Sequence, residues 1–469
     1  MAIIIFVAAT INYYLYKNLP KNKKILSFLI LLFGILISNP RTNFGTVSGI
    51  GKIVEAKGNR YVVSYGNSFL RRNPKFSIKS DEKCYVGDVV NFKGVLRRGN
   101  PPYNENGFSE EKYLKSRGVG GVLDGNITWV KKRGIGSKFA RRLEYSAKSL
   151  KPEVKGTYIG ILSSNGSMSD DYNAYRNLGI SHIFAFSGLH VGLVFLFIKR
   201  ILKPFGKNVG DIISLITLFL YIYVLGFPVS AVRAFIMVLC LVLSRFFKFK
   251  YRSIEIILIS MVFQFAYNPY VIYSVGFWLS YAATLGIIIF ARRFKFLGTT
   301  FIGKGLAVSL GAFIMTLPII LRCFYMFNPI TIIANLVVIP MYSLGVGFSF
   351  AHLLVPNILT KTLIDFLFGT GAEIGRFLNY YFKSMVTGKV NWYFIFSYYL
   401  SVLLALKYRE FNFSKESLKA MVLCIITLFV LNFQDVYERE DFRADFMYVG
   451  QGDCSIIKHD GKYYMVDTG

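Results

Sequence analysis

Residues 206–250 read "GKNVGDIISLITLFLYIYVLGFPVSAVRAFIMVLCLVLSRFFKFK". Two apolar runs, near 209–226 and 228–247, meet at a Gly-Phe-Pro turn. Lysines and arginines flank their outer ends. At a rise of about 1.5 Å per residue, each run is long enough to cross roughly 30 Å of hydrocarbon. The stretch predicts a transmembrane hairpin whose basic flanks stay in the cytoplasm.

The pattern repeats in both directions. Further apolar runs lie near 183–203, 253–268, 270–291, 304–321, 329–352, 359–384, 391–407 and 417–434. An earlier pair, 3–16 and 25–38, brackets Lys17, Lys21, Lys23 and Lys24. The 359–384 run carries Asp365, Glu373 and Arg376, so it reads equally as an amphipathic helix. With all ten later spans plus the first hairpin, the basic loops "KRILKPFGK", "RFFKFKYR", "ARRFKF" and "KYREFNFSK" all face the cytoplasm. Both termini then lie outside. A hydrophobic content of 54%, with 44 Phe and 31 Tyr, excludes an ordinary soluble domain.

A net charge of +29 exceeds what short loops explain. Between Arg41 and Arg176 there are 25 Lys+Arg against 12 Asp+Glu. Within that segment "RYVVSY", "KFSIKS", "DVVNFKGVL", "GVGGVLDG" and "NITWV" alternate apolar and polar residues, as half-buried strands do. "SEEKYLKSR" fits one short helix, with Ser109 as N-cap and Glu110 and Glu111 in its first turn. Five short strands and a helix suit an OB-type barrel, and a β-sandwich nearly as well. Residues 134–182 form a basic connector, and "SKFARRLEYSAKSLK" within it suits a helix lying on anionic lipid.

Polar residues inside apolar runs mark candidate sites. In "LGISHIFAFSGLHVGLVF", Gly188 and Gly192 make a GxxxG step for close helix approach. Ser187 and His190 share a helix face. No orienting carboxylate is near, so a nucleophile and its base fit poorly. A packing pair or the lining of an aqueous path fits better. Arg233 lies five residues after Pro228, where it either snorkels to the interface or faces a polyanion. Asn335 and Pro340 sit in mid-span, and Pro340 predicts a kink. Arg71, Arg72, Arg97 and Arg98 are candidate phosphate contacts on the β domain.

No GxxxxGK[ST] occurs, so the chain supplies no P-loop. His182, His190, His352 and His459 lack metal-site spacing, and the five cysteines show no CxxC pair or disulfide framework. No cofactor and no catalytic residue is expected.

These motifs, in order, resemble the ComEC competence proteins, bacterial membrane channels for DNA uptake. "GDVVNFKGVLRRGNPPYNENGFSEEKYLKSRGV" resembles the family's extracytoplasmic OB-type domain. "SHIFAFSGLHVGL", "FPVSAVRAFIM", "NPYVIYSVGFWLSYAATLGI" and "NPITIIANLVVIP" resemble its channel segments. "YVGQGDCSIIKHDGKYYMVDTG" is similar to the opening of its metallo-β-lactamase-like domain, with Asp453, Asp467 and Gly469 as its remnant. The chain stops before the HxHxDH loop that would hold metal there, as a frameshift, a split gene or a fragmentary record would leave it.

The resemblance implies a polytopic α-helical membrane protein with about 10–12 spans and an extracytoplasmic OB-type barrel after the first hairpin. Its parts are the hairpin at 1–40, the β domain at 41–133, the connector at 134–182, the channel at 183–434 and the remnant at 435–469. It implies a channel component for single-stranded DNA in the cytoplasmic membrane, without nuclease activity in this chain. Ser187, His190, Arg233 and Asn335 would line the path. Partners would be an ATP-driven translocase inside and a DNA receptor outside, with homo-oligomerisation left open. A secondary transporter for small anions is the rival reading, and an inactive gene remnant is the third.

Overall fold

The computed structural model describes residues 44–66, 73–104, 107–131, 134–165, 169–184, 188–248, 253–290, 294, 300–387, 390–407, 442–450, 452–460 and 462–467. The expected hairpin at 1–40 and the run at 417–434 lie outside the described residues.

Five strands close a barrel in the order β1-β2-β3-β5-β4: β1 (Gly45–Lys57), β2 (Arg60–Tyr65), β3 (Lys75–Lys79), β4 (Val89–Arg97) and β5 (Gly121–Lys131). The long β1 pairs with β4 through its first half and with β2 through its second. Its register shifts between Ile53 and Glu55, and the bend lets one strand serve both neighbours. Gly51 sits at the corner, where a Cβ would collide with Val63. Inward residues alternate as the sequence predicts: Ile53, Val63, Phe76, Ile78, Val90, Phe92, Leu96 and Leu123 fill the core. Phe76 and Phe92 meet edge to face at 4.6 Å. A helix, α1 (Glu110–Ser116), lies between β4 and β5 in sequence, where "SEEKYLKSR" predicts one.

The connector holds α2 (Ile135–Ala147), α3 (Pro152–Leu162) and α4 (Tyr172–Asn177). Fully buried Asp88 ties α2 to the barrel. It accepts from the Gly134 amide at 3.3 Å, the Ser137 hydroxyl at 3.2 Å and the Tyr85 amide at 2.9 Å. The expectation of a merely interfacial connector is corrected. Val154, Tyr158, Ile161 and Leu162 recur at helical spacing on α3 and, with Tyr175 of α4, enter the bundle core. α2 keeps an exposed basic face with Lys138, Arg141 and Arg142, and Lys148 follows at its end.

The bundle follows as α5 (Gly188–Ile201), α6 (Lys207–Val224), α7 (Val229–Phe246), α8 (Ser253–Tyr267), α9 (Val275–Phe290), α10 (Phe301–Phe324), α11 (Thr331–Leu354) and α12 (Ile358–Tyr381); α13 (Trp392–Lys407) comes later in sequence, in a second unit. Nine of the ten later apolar runs thus fall on described helices. Among the described residues, α6, α7, α10 and α11 are long and apolar enough to cross a membrane; α8 and α9 are apolar but shorter. On α12, Asp365 accepts from the Lys151 amide at 3.1 Å and Arg376 pairs with Asp171 at 2.9 Å.

The barrel sits on one end of the bundle. Gly226 follows α6 with φ +77°, and a Cβ there would press into Glu55 and the Val54 carbonyl, so only glycine fits. Asn268, after α8, donates to the carbonyls of Lys115 at 3.0 Å and Ser116 at 2.8 Å, capping α1. Arg117 pairs with Glu55 beside this contact. Burial pulls the Arg117 guanidinium down to about 10, so it stays charged at neutral pH. The basic ends of α5, α6 and α7 lie at the far end, about 20 Å down α6. There Asp211 pairs with Lys199 at 2.6 Å and Arg245 at 3.2 Å.

Strict alternation of spans fails at α11. Its Phe350 packs edge-on against Tyr221, near the barrel-side end of α6, at 5.3 Å. Arg142 of α2 donates to the carbonyls of Leu353 and Leu354. This helix therefore ends on the barrel side. The connection 355–357 carries no Lys or Arg, so loop charge carries no information there.

A second compact unit gathers Asn100–Glu110, Leu317–Phe327 and the chain from Met385 onward. It includes an antiparallel sheet of β6 (Phe442–Tyr448), β7 (Asp453–His459) and β8 (Lys462–Val466). Asn104 pairs with the Tyr448 backbone in both directions, at 3.0 and 2.8 Å, while Tyr103 stacks on the Tyr448 ring at 4.2 Å.

Candidate nucleic-acid interface and membrane path

Of the four surface arginines, Arg71 and Arg72 lie outside the described residues. Arg97 and Arg98 stand together at the end of β4, but in different electrostatic states. Arg97 pairs with Asp124 at 2.5 Å. Arg98 places its guanidinium over the Phe44 ring at 5.3 Å. The outer face of β1, β4 and β5 adds exposed residues that the charge pattern alone does not reveal. The register sets Ile50 beside Asn91 and Asn91 beside Trp129, and Lys93 is exposed on the same face of β4. Trp129 offers an exposed ring for stacking on this face. It lies two residues past buried Ile127, with a register irregularity between Asn91 and Phe92 on the facing strand. Strict alternation would have hidden it.

Inside the bundle, the four proposed path residues fare differently. Ser187 lies outside the described residues. His190 is buried, in the first turn of α5. Asn335 is on α11, which packs against α5, and its side-chain oxygen is buried without a hydrogen bond. Arg233 is only 7% exposed and does not snorkel. Its Nη1 donates to Thr284 Oγ1 at 2.6 Å and to the Ser280 carbonyl. The Tyr281 ring lies 5.5 Å from the guanidinium carbon. Its Nε is buried with no partner. Among the described residues, no carboxylate pairs with it. Ser280, Tyr281 and Thr284 come from the small-residue stretch "FWLSYAATLGI", and their role emerges only when α9 is laid on α7. Gln264, in "MVFQFAY", is a further buried polar group. Its amide donates to the Val229 carbonyl at 2.8 Å while its oxygen is unpaired.

The GxxxG reading is half corrected. A Cβ on Gly188 would lie 3.4 Å from Arg233 Nη2 and 3.7 Å from Ala234, so Gly188 does permit close approach. Among the described residues, a Cβ on Gly192 would meet nothing within 4 Å. The tightest glycine contact between helices is elsewhere, where Gly286 of α9 lies against the Gly311 backbone of α10. Pro340 sits inside α11, which continues through it to Leu354. In the C-terminal sheet, Asp453 opens β7, Asp467 follows β8 with φ +58°, and Gly469 lies outside the described residues. No cluster of three or more potential metal ligands occurs among the described residues.

A bundle of apolar helices with a closed barrel docked at one end defines a helical membrane protein carrying an accessory β domain. The chain belongs to the competence protein family, which matches residues 162–412, more than half of its length. ComE operon protein 3 of Bacillus subtilis is 26% identical over 319 residues, 63% of this chain and 39% of that protein. An uncharacterized protein of Aquifex aeolicus is 32% identical over 187 residues, 40% of this chain and 42% of that protein. Recombination protein 2 of Haemophilus influenzae is 24% identical over 235 residues, 46% of this chain and 29% of that protein. The matches thus span less than half the length of each relative. No solved structure matches.

Proposed function

We propose that this chain is the membrane part of a channel that carries single-stranded DNA across the bacterial cytoplasmic membrane. The observation that carries the reading is Arg233: a guanidinium more than nine-tenths buried in the bundle and unopposed by any described carboxylate. A buried charge without a counter-charge is costly, and a passing polyanion supplies what is missing. The barrel's strand order, closed through one parallel pair between β3 and β5, supports an OB-type module. Exposed Arg98, Phe44, Lys93 and Trp129 would gather the strand by charge and stacking. The barrel is extracytoplasmic in this reading, because the basic helix ends lie opposite it. Motive force comes from a cytoplasmic ATP-driven partner, and an exterior receptor delivers the DNA. Hydrolysis of DNA is not assigned to this chain.

The test is uptake of fluorescent single-stranded DNA by cells in which this chain replaces the resident channel, compared with cells lacking it. Uptake that is equal with and without the chain would falsify the reading. Efflux of small anions without DNA uptake would favour the transporter class instead.

A further inference from the structure

We infer that the Nε and Nη2 edge of Arg233, together with the first turn of α5, forms a seat for one phosphate group of a phosphodiester. The guanidinium presents donors along two edges. Nη1 is engaged by α9 through Ser280 and Thr284, which fixes the plane of the group. Nε, on the other edge, has no partner. Nε and Nη2 form the side-on fork that takes two oxygens of a tetrahedral anion at once. Nη2 lies against Gly188, where the absent side chain leaves room. That residue opens α5, a helix of 14 residues whose amino-terminal end carries the positive pole of its dipole. Two positive features therefore converge, one of them a side chain 93% buried by its 7% exposure.

Competing assignments fit less well. A snorkelling arginine would reach water, and Arg233 is buried. A structural ion pair needs a carboxylate, as Asp211 provides for Lys199 and Arg245. Pure helix glue would use up the donors, yet the edge suited to an oxyanion is the one unused. The position adds meaning. Arg233 is four residues into α7, about 6 Å from the end that meets the barrel. A strand released by the barrel would reach this seat first.

The identity of the ligand as DNA rests on the channel reading; the seat itself requires only a phosphate. The experiment uses the full chain purified in detergent. A short oligothymidylate is titrated against wild type, R233Q, R233K and G188A, alongside the same oligomer with uncharged methylphosphonate links. Wild type should prefer the phosphodiester oligomer. R233Q and R233K should each lose about tenfold or more in its affinity, because the lysine keeps the charge but not the fork. G188A keeps the arginine and sets a methyl 3.4 Å from Nη2, in space a bound oxyanion would use, so it should weaken binding as well. It decides the matter if R233Q fails to fold. Binding of the methylphosphonate oligomer should not change. Inorganic phosphate should raise the melting temperature of wild type and not of R233Q. Phosphodiester binding that is indifferent to all three substitutions overturns the seat and leaves the channel reading standing. Arg233-dependent stabilisation by phosphate without oligomer binding keeps the seat and removes the channel reading.

Discussion

The barrel surface and the bundle interior each hold an arginine, and they treat it in opposite ways. Arg97 on the barrel has a carboxylate partner, Asp124, although water would screen it without one. Arg233 in the bundle has none, although its surroundings make an unpaired charge expensive. The exposed pair is replaceable and carries little stability. The buried cation is retained against its cost, and that is why it points to a ligand.

The same contrast ranks the expected effects of substitution. The largest lies in the bundle, at Gly286. Any side chain there meets the Gly311 backbone, which cannot yield. G286L should destabilise the α9–α10 pair by about 3 kcal/mol, read as a lowered melting temperature in detergent; an unchanged melt would mean the helices separate freely. A middle-sized effect lies at the junction of the two regions. N268A removes two hydrogen bonds to the end of α1 and should cost about 1–2 kcal/mol locally. Faster amide hydrogen exchange at Arg117 to Val119, with the helices of the bundle unaffected, would register it. Equal exchange would show that Asn268 adds nothing to the hold on the barrel beyond Gly226 and Asp88. The smallest effect lies on the barrel surface. D124N frees Arg97 and should tighten single-stranded DNA binding about twofold, with a steeper salt dependence and a stability change under about 1 kcal/mol. Weaker binding would place this face away from the strand.

Much of this was legible in the sequence, for reasons that can be named. Apolar runs announce helices because hydrocarbon demands closed backbone hydrogen bonding, and nine of the ten later runs coincide with described helices. Period-two patterning announces the barrel strands because one face is buried. What stayed hidden depends on partners remote in sequence. Gly286 meets Gly311, and Arg233 meets Ser280 and Thr284; no fixed spacing encodes either. Gly192 shows the reverse: the motif's spacing is right, yet a Cβ there would meet no described atom within 4 Å. Asn335 and Arg233 were visible as polar residues in apolar runs. Which of their atoms went unpaired was not.

Gly226 has a mechanical consequence. The barrel bears on it directly, and α7, which carries Arg233, begins three residues later behind Pro228. So short a linkage has little slack. Tilting of the barrel would be felt at the guanidinium almost undamped, and the barrel and Arg233 would move as one lever.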